Sequence, residues 1–231
     1  MIPIGDNDSD RTTTPIINYL LIGINIFVFI YYQSFGTNDA FTLSYATVPG
    51  EILSGKDIVT NGLGITPVPV YATIFTAMFM HGGIGHIAGN MLYLWIFGDN
   101  LENRMGHIKY LVFYLLTGVI ATLAHVFASK FTGQDVLVPS LGASGAISGV
   151  LGGYLILFPA NKVRILAFVF TFSVPAFVTL GLWIGLQFLS GWESLGTQGG
   201  GVAYAAHIGG FVAGVCLVRL FADKVPKSAL P

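Results

Sequence analysis

The sequence predicts an all-α, polytopic membrane protein with six transmembrane helices. Three observations carry that expectation. Of 231 residues, 54% are hydrophobic and 9% charged, with a mean hydropathy of +0.75, whereas soluble domains carry about 25% charged residues. Apolar segments near spanning length, about 17–25 residues, recur six times along the chain. Lys and Arg gather on one side once the segments are made to alternate across a bilayer. The formal net charge is −1 with no basic patch, which argues against a nucleic-acid partner. The single cysteine, Cys216, lies in an apolar run, so there is no disulfide framework and no Cys-based metal site.

The first span runs from about Pro15 to Gln33. Its flank, Asp6, Asp8, Asp10 and Arg11, is acidic, and Asn18 and Asn25 interrupt its core, so it reads as a retained span rather than a cleaved signal peptide. A long loop to about Tyr71 follows, punctuated by Pro49, Gly50, Gly55, Gly62, Gly64, Pro67 and Pro69. A short apolar piece, Tyr71–Met80, precedes the second span, His86–Leu101. The third is Ile108–Ser129, the fourth Ser144–Phe158, the fifth Ile165–Leu189 and the sixth Val202–Phe221. Residues 15–222 thus form one membrane domain, between cytoplasmic tails at 1–14 and 223–231.

With the N-terminus inside, Arg11, Arg104, Lys109, Lys162, Arg164, Arg219, Lys224 and Lys227 are cytoplasmic, against Lys56 and Lys130 outside. This 8-to-2 split follows the positive-inside rule and puts the long loop outside. Spans two, four and six then run from outside to inside, and His86, Ser144 and His207 all fall near their outer ends. The fourth span is short. At roughly 1.5 Å per residue it covers about 21 Å of a core about 30 Å thick. Ser144 is therefore expected below the outer surface at a helix N-terminus, preceded by irregular backbone at Pro139–Gly142. Such backbone is tolerated at depth only where protein or a water-filled cavity satisfies it.

Polar and ionisable residues inside a membrane are costly, and a functional role is the default reading for them. A serine and a histidine that meet form a nucleophile and its base. The fourth span carries Gly145, Gly149 and Gly153, and the sixth carries Gly210 and Gly214 after His207. Small faces of this kind let two membrane helices approach closely, which would bring Ser144 to His207. Packing alone also explains such glycines. His86 and Asn90 are four residues apart on one helical face, and both can donate hydrogen bonds. With the Ser144 amide they suit an oxyanion site; an interhelical hydrogen-bond pair is the plainer alternative. His81 falls off that face and reads as structural, holding the loop through a ring nitrogen.

No carboxylate is placed to orient the histidine. Asp99 and Glu102 lie 13 and 16 residues beyond His86, about 20 Å or more toward the cytoplasm, and Asp135 and Glu193 lie in external loops. A Ser–His dyad is the result. Glu102 and Arg104 read as an anchor for the loop after span two, with a surface ion pair as the alternative. No His-Glu-x-x-His motif is present, and only Asp99 lies at a span, which disfavours zinc and paired-aspartate proteases. Position 146 is alanine, so the soluble Gly-x-Ser-x-Gly elbow is not met.

Four short motifs in order resemble one family. Gly142-Ala-Ser144-Gly145 is similar to the GxSG of rhomboid intramembrane serine proteases. Ala206-His207-Ile-Gly-Gly210-Phe-Val-Ala-Gly214 is similar to their AHxxGxxxG, His81, His86 and Asn90 to their second-helix pattern, and Glu102-Asn-Arg104 to their ExR. The resemblance covers nearly the whole chain. It implies Ser144 as nucleophile, His207 as general base, and His86, Asn90 and the Ser144 amide as the oxyanion site. It also implies cleavage of single-span membrane proteins near the outer face, without metal or cofactor, in a bacterial inner membrane. Span five, with Trp183 and Gln187, is implied as a lateral gate beside span two, kinked at Pro175.

Two positions depart from the family pattern. Ser148 stands where some members place a tyrosine against the histidine, and Val70-Tyr71 stands where some have Trp-Arg. A different side chain is thus expected to position His207. The competing classes are a family member that holds clients without cleaving them, and a channel or transporter. Inactive members usually lack the serine or the histidine. The absence of carboxylates toward the outer ends of the spans, beside the serine and histidine, argues against ion coupling.

Overall fold

The structure is a computed structural model, and it describes all residues except 1, 8, 10, 61, 133–135, 194–203 and 223–231. Asp8, Asp10, Asp135, Lys224, Lys227, the start of the sixth span at Val202 and the tail 223–231 therefore lie outside the described residues. Helix α1 (Ile16–Tyr31) follows Pro15 and buries Asn18, Leu21, Asn25 and Phe29 on one stripe. The long loop holds two short helices, α2 (Asp39–Ser44) and α3 (Pro49–Ser54). Asn38 caps α2 by accepting from the Phe41 N–H at 3.2 Å, and Pro49 sits in the first turn of α3, where its missing N–H costs nothing. Glu51 is buried on α3 and accepts from the Ile58 N–H at 3.1 Å; burial raises its carboxyl pKa.

The apolar piece before the second span is a broken run of one-turn helices, with α4 (Thr73–Thr76) between two 3-10 turns. Four long helices follow the expected spans closely: α5 (Ile84–Met105), α6 (His107–Thr132), α7 (Ser144–Leu157) and, after α8 (Ala176–Glu193), α9 (Tyr204–Phe221). Helix α7 is the axle of the bundle. Its residues 146–154 are all buried, packed between α6 and α9 with α5 and α8 beside them.

The all-α expectation needs correction, because a three-stranded antiparallel sheet is present. Its strands are β1 (Ile2–Gly5), β2 (Lys162–Ala167) and β3 (Phe170–Pro175), in the order β1-β2-β3. Two boundaries move as a result. The fifth span, expected from Ile165, begins at Ala176, and Pro175 ends a strand rather than kinking a helix. Residues 2–5 are not a free tail either, for Ile2 pairs with Leu166 and Gly5 with Arg164. The physical signal was a period of two. Val163 and Ile165 are buried while Lys162 and Arg164 are exposed, but the unbroken apolar run that follows hides that alternation.

The core is apolar, and so is much of the outward surface. Large apolar side chains such as Leu20 and Phe27 on α1, Val112 on α6, Leu182 and Leu186 on α8, and Leu220 on α9 face outward. Asn18, Asn25, Asn90, Asp99, Asn100, Glu102, Thr117 and Ser148 are buried. Asn18 donates to the Leu94 carbonyl at 3.0 Å and accepts from the Tyr110 hydroxyl at 2.7 Å. Outward apolar area on this scale marks a surface whose solvent is lipid. Helices α6 and α9 are each long and apolar enough to cross a membrane, while α1 and α7 are apolar but shorter.

The far end of the bundle from Ser144 is tied by Glu102. Its carboxylate is fully buried and accepts from the Ile17 and Asn18 N–H groups at 2.9 and 2.7 Å. Those amides open α1, where a negative charge meets the helix dipole. The His107 ring also bonds Glu102. The ExR segment thus anchors α1 to α5, beyond the loop role expected for it. Arg104 lies over the Phe158 ring at 5.9 Å, and Arg11 pairs with Asp99 at 2.7 Å.

Candidate active site

Three helix N-termini and one mid-helix residue converge here. Ser144 is the first residue of α7, His207 is in the first turn of α9, and His86 is in the first turn of α5. The Ser144 Oγ lies 2.8 Å from the His207 Nε2. The other ring nitrogen, Nδ1, lies 2.8 Å from the Gln187 Oε1 on α8. The amide oxygen can only accept, so Nδ1 carries the ring proton and Nε2 is left to accept from Ser144. The Trp183 ring, one turn earlier on α8, lies 6.1 Å from the His207 ring. Gln187 and Trp183 thus flank the His207 ring, the contact that Ser148 does not make. Ser148 turns instead to the backbone, its hydroxyl donating to the Ser144 carbonyl at 2.6 Å.

Glycines make this meeting possible. A Cβ on Gly210 would fall 2.1 Å from the Gly145 carbonyl oxygen, and one on Gly214 would fall 2.0 Å from that of Gly149. Helices α7 and α9 therefore touch backbone to backbone, as the small residues predict. The faces differ in one respect. The side-chain directions of Gly145 and Gly149 point at Ala121 and Thr117 of α6, so α7 is clasped from two sides. Gly142 has its own reason to be glycine. Its φ is +123°, and a Cβ there would lie 2.8 Å from the His86 ring.

The segment before Ser144 is irregular, and its polar groups are met by protein. Thr47 and Ser140 exchange backbone hydrogen bonds at 2.9 and 2.7 Å, and the Gly142 N–H donates to Ala77 O at 2.9 Å. A small cavity of about 30 Å³ opens at this point, lined by Thr47, Met78, Thr122, Ser140, Ser144 and Ala206. Its hydroxyls and its size suit an ordered water.

The His86 ring stands beside the turn that carries Ser144. The Gly82 N–H approaches the His86 Nδ1 at 3.3 Å, an arrangement that leaves the proton of a neutral ring on Nε2. That nitrogen is beside Gly142. The Asn90 Nδ2 is buried and has no hydrogen-bond partner. The Ser144 N–H is one of the amides a helix start leaves without an intrahelical acceptor. His81 departs from expectation. Its ring packs edge-on against His86 at 5.1 Å, and neither ring nitrogen makes a regular hydrogen bond. The loop is held through His81's backbone instead, where the Gln33 amide accepts from its N–H at 3.0 Å and donates to its carbonyl at 2.8 Å. Sequence reasoning missed Gln33, and it named Gln187 only as part of a gate. The four-residue spacing of Trp183 and Gln187 was the one signal that they share a face.

Residues 69–224, which include every candidate residue, match the family described as Rhomboid domain. The chain is similar to "Rhomboid protein 1, mitochondrial" of Saccharomyces cerevisiae, 31% identical over 211 residues, covering 90% of this chain and 54% of that protein. It is 30% identical over 161 residues to "Presenilin-associated rhomboid-like protein, mitochondrial" of Homo sapiens, covering 66% of this chain and 38% of that protein. It is 27% identical over 205 residues to "Rhomboid protease GluP" of Bacillus subtilis, covering 88% and 35%. The chain spans about half the length of the yeast relative and less of the other two.

Proposed function

The chain belongs to the rhomboid family, and from that premise we propose that it is an intramembrane serine endopeptidase. The observation that carries this reading is the 2.8 Å approach of the Ser144 Oγ to the His207 Nε2, with Gln187 on the opposite nitrogen. In the proposed reaction Oγ attacks the scissile carbonyl as its proton passes to Nε2. The oxyanion that forms is met by the Ser144 N–H, His86 and Asn90. Collapse breaks the C–N bond, His207 returns the proton to the leaving amine, and a water from the cavity hydrolyses the Ser144 ester.

Six spans, formed by α1 and α5–α9, embed this site, with substrates being single-span membrane proteins that present an unwound segment near the outer face. No metal or cofactor takes part. The relatives named mitochondrial stand beside a bacterial one, so the expected bacterial membrane gains no support from them.

A fluorophosphonate probe tests the nucleophile directly. Detergent-solubilised wild type labels, and Ser144→Ala does not. Equal labelling of the two would sink the protease reading and leave a client-holding protein. Asn90→Ala lowers kcat by about 10²–10³ with little change in KM, since the oxyanion exists only after binding. An unchanged kcat assigns Asn90 to packing.

Gln187 is a positioning residue. Gln187→Leu, which removes the acceptor at similar size, lowers kcat about tenfold, the value of one hydrogen bond of about 1.4 kcal/mol. Gln187→Glu, which keeps an acceptor, restores most of it. Equal rates in the two variants would mean that the bond does not orient His207.

A further inference from the structure

We propose that the β2–β3 hairpin seats its tip in the lipid leaflet at the Lys- and Arg-rich end of the bundle, with an anionic headgroup surface as its partner. This rests on the membrane-embedded reading above. Phe168, Val169 and Phe170 at the tip are 98%, 83% and 73% exposed, so the protein covers almost none of them. The connection is a two-residue loop, and Phe168 has a φ of +55° at its first position. Tight hairpins of this form ordinarily place glycine there, since an L side chain is strained at positive φ. An aromatic held in that conformation without an intramolecular contact points to a contact outside the chain.

The rest of the hairpin says what that contact is. Val163 and Ile165 join the helix core, so the sheet lies against the end of the bundle and the tip overhangs it. Strand β3 runs directly into α8, and exposed Phe172 leads on to exposed Phe177, Leu182 and Leu186. Exposed apolar side chains thus follow one another along the chain from the tip onto the outward surface of α8. Lys162 and Arg164 stand on the open face of β2, at the side where basic residues gather. Apolar tip and flanking cations together are the pattern of an interfacial anchor on anionic lipid.

The test is depth-resolved quenching on the full chain. In a Cys216→Ser background, Val169→Cys is labelled with an environment-sensitive fluorophore and reconstituted into phosphatidylcholine vesicles with and without phosphatidylglycerol. An interfacial side chain sits about 5–10 Å into the headgroup–acyl boundary. Bromines near the headgroup should therefore quench the label strongly, bromines at the chain end weakly, and aqueous iodide weakly. Phosphatidylglycerol should strengthen the lipid quenching, and Lys162→Gln with Arg164→Gln should remove that gain. Val112→Cys on α6 and Lys56→Cys in the long loop serve as lipid and water references. Iodide quenching equal to that at Lys56→Cys, with the Val112→Cys label still quenched by lipid, overturns the proposal alone. Shielding from both quenchers means a protein contact and also overturns it. Loss of lipid quenching at Val112→Cys removes the membrane-embedded reading and the proposal together.

Discussion

Ser144→Ala and His207→Ala each lower the rate of peptide-bond cleavage by at least about 10³-fold, and the double variant is no slower than either alone. Groups that act as one unit are non-additive in this way, because removing the base leaves the hydroxyl inert and removing the hydroxyl leaves the base idle. Single-turnover kinetics with a membrane-reconstituted model substrate measures all three. The expected pattern follows from the shared hydrogen bond between the two side chains. Independent losses that multiply in the double variant would mean that Ser144 and His207 act separately, contrary to the proposed dyad.

Gly214→Ala is the most damaging small substitution. The added methyl would lie 2.0, 2.8 and 2.9 Å from the O, C and Cα of Gly149. All three are backbone atoms, so no rotamer relieves the clash and α7 must part from α9. The cost is at the upper end for overpacking, about 3 kcal/mol, or roughly 6–12 °C in melting temperature. Gly181→Ala and Gly185→Ala on α8 provide the contrast, since nothing lies within 4 Å of a Cβ at either position. In those two the better helix propensity of alanine, up to about 1 kcal/mol, is the only term. A thermal melt of the three variants in one detergent decides the matter. Equal melting would mean that the α7–α9 seam is looser than the structure shows.

The parts legible in sequence were those whose signal is local. Ser144 opens α7 because a Gly-x-Ser-Gly turn meets an apolar run. The glycines of α9 announced a close neighbour, since only backbone contact needs two of them one turn apart. The sheet was hidden because the alternation of Lys162, Val163, Arg164 and Ile165 is only four residues long and runs straight into an apolar stretch that reads as the start of a span. Asn18 and Asn25 read as flaws in a span and proved to be its inward stripe. The hydrogen bond that His207 donates to Gln187 had no trace in spacing, because twenty residues, including a segment outside the described residues, separate them.

The pairing of Ile2 with Leu166 sets an order of events during synthesis. Strand β1 leaves the ribosome first, and its partner strand follows only after helices α1 to α7 have been made. At about 5–20 residues per second this delay is on the order of ten seconds. Through that interval β1 is an open edge, free to pair with the wrong strand. Closure of the sheet is therefore a late event, and it arrives just before α8, the helix that carries Gln187 to the histidine.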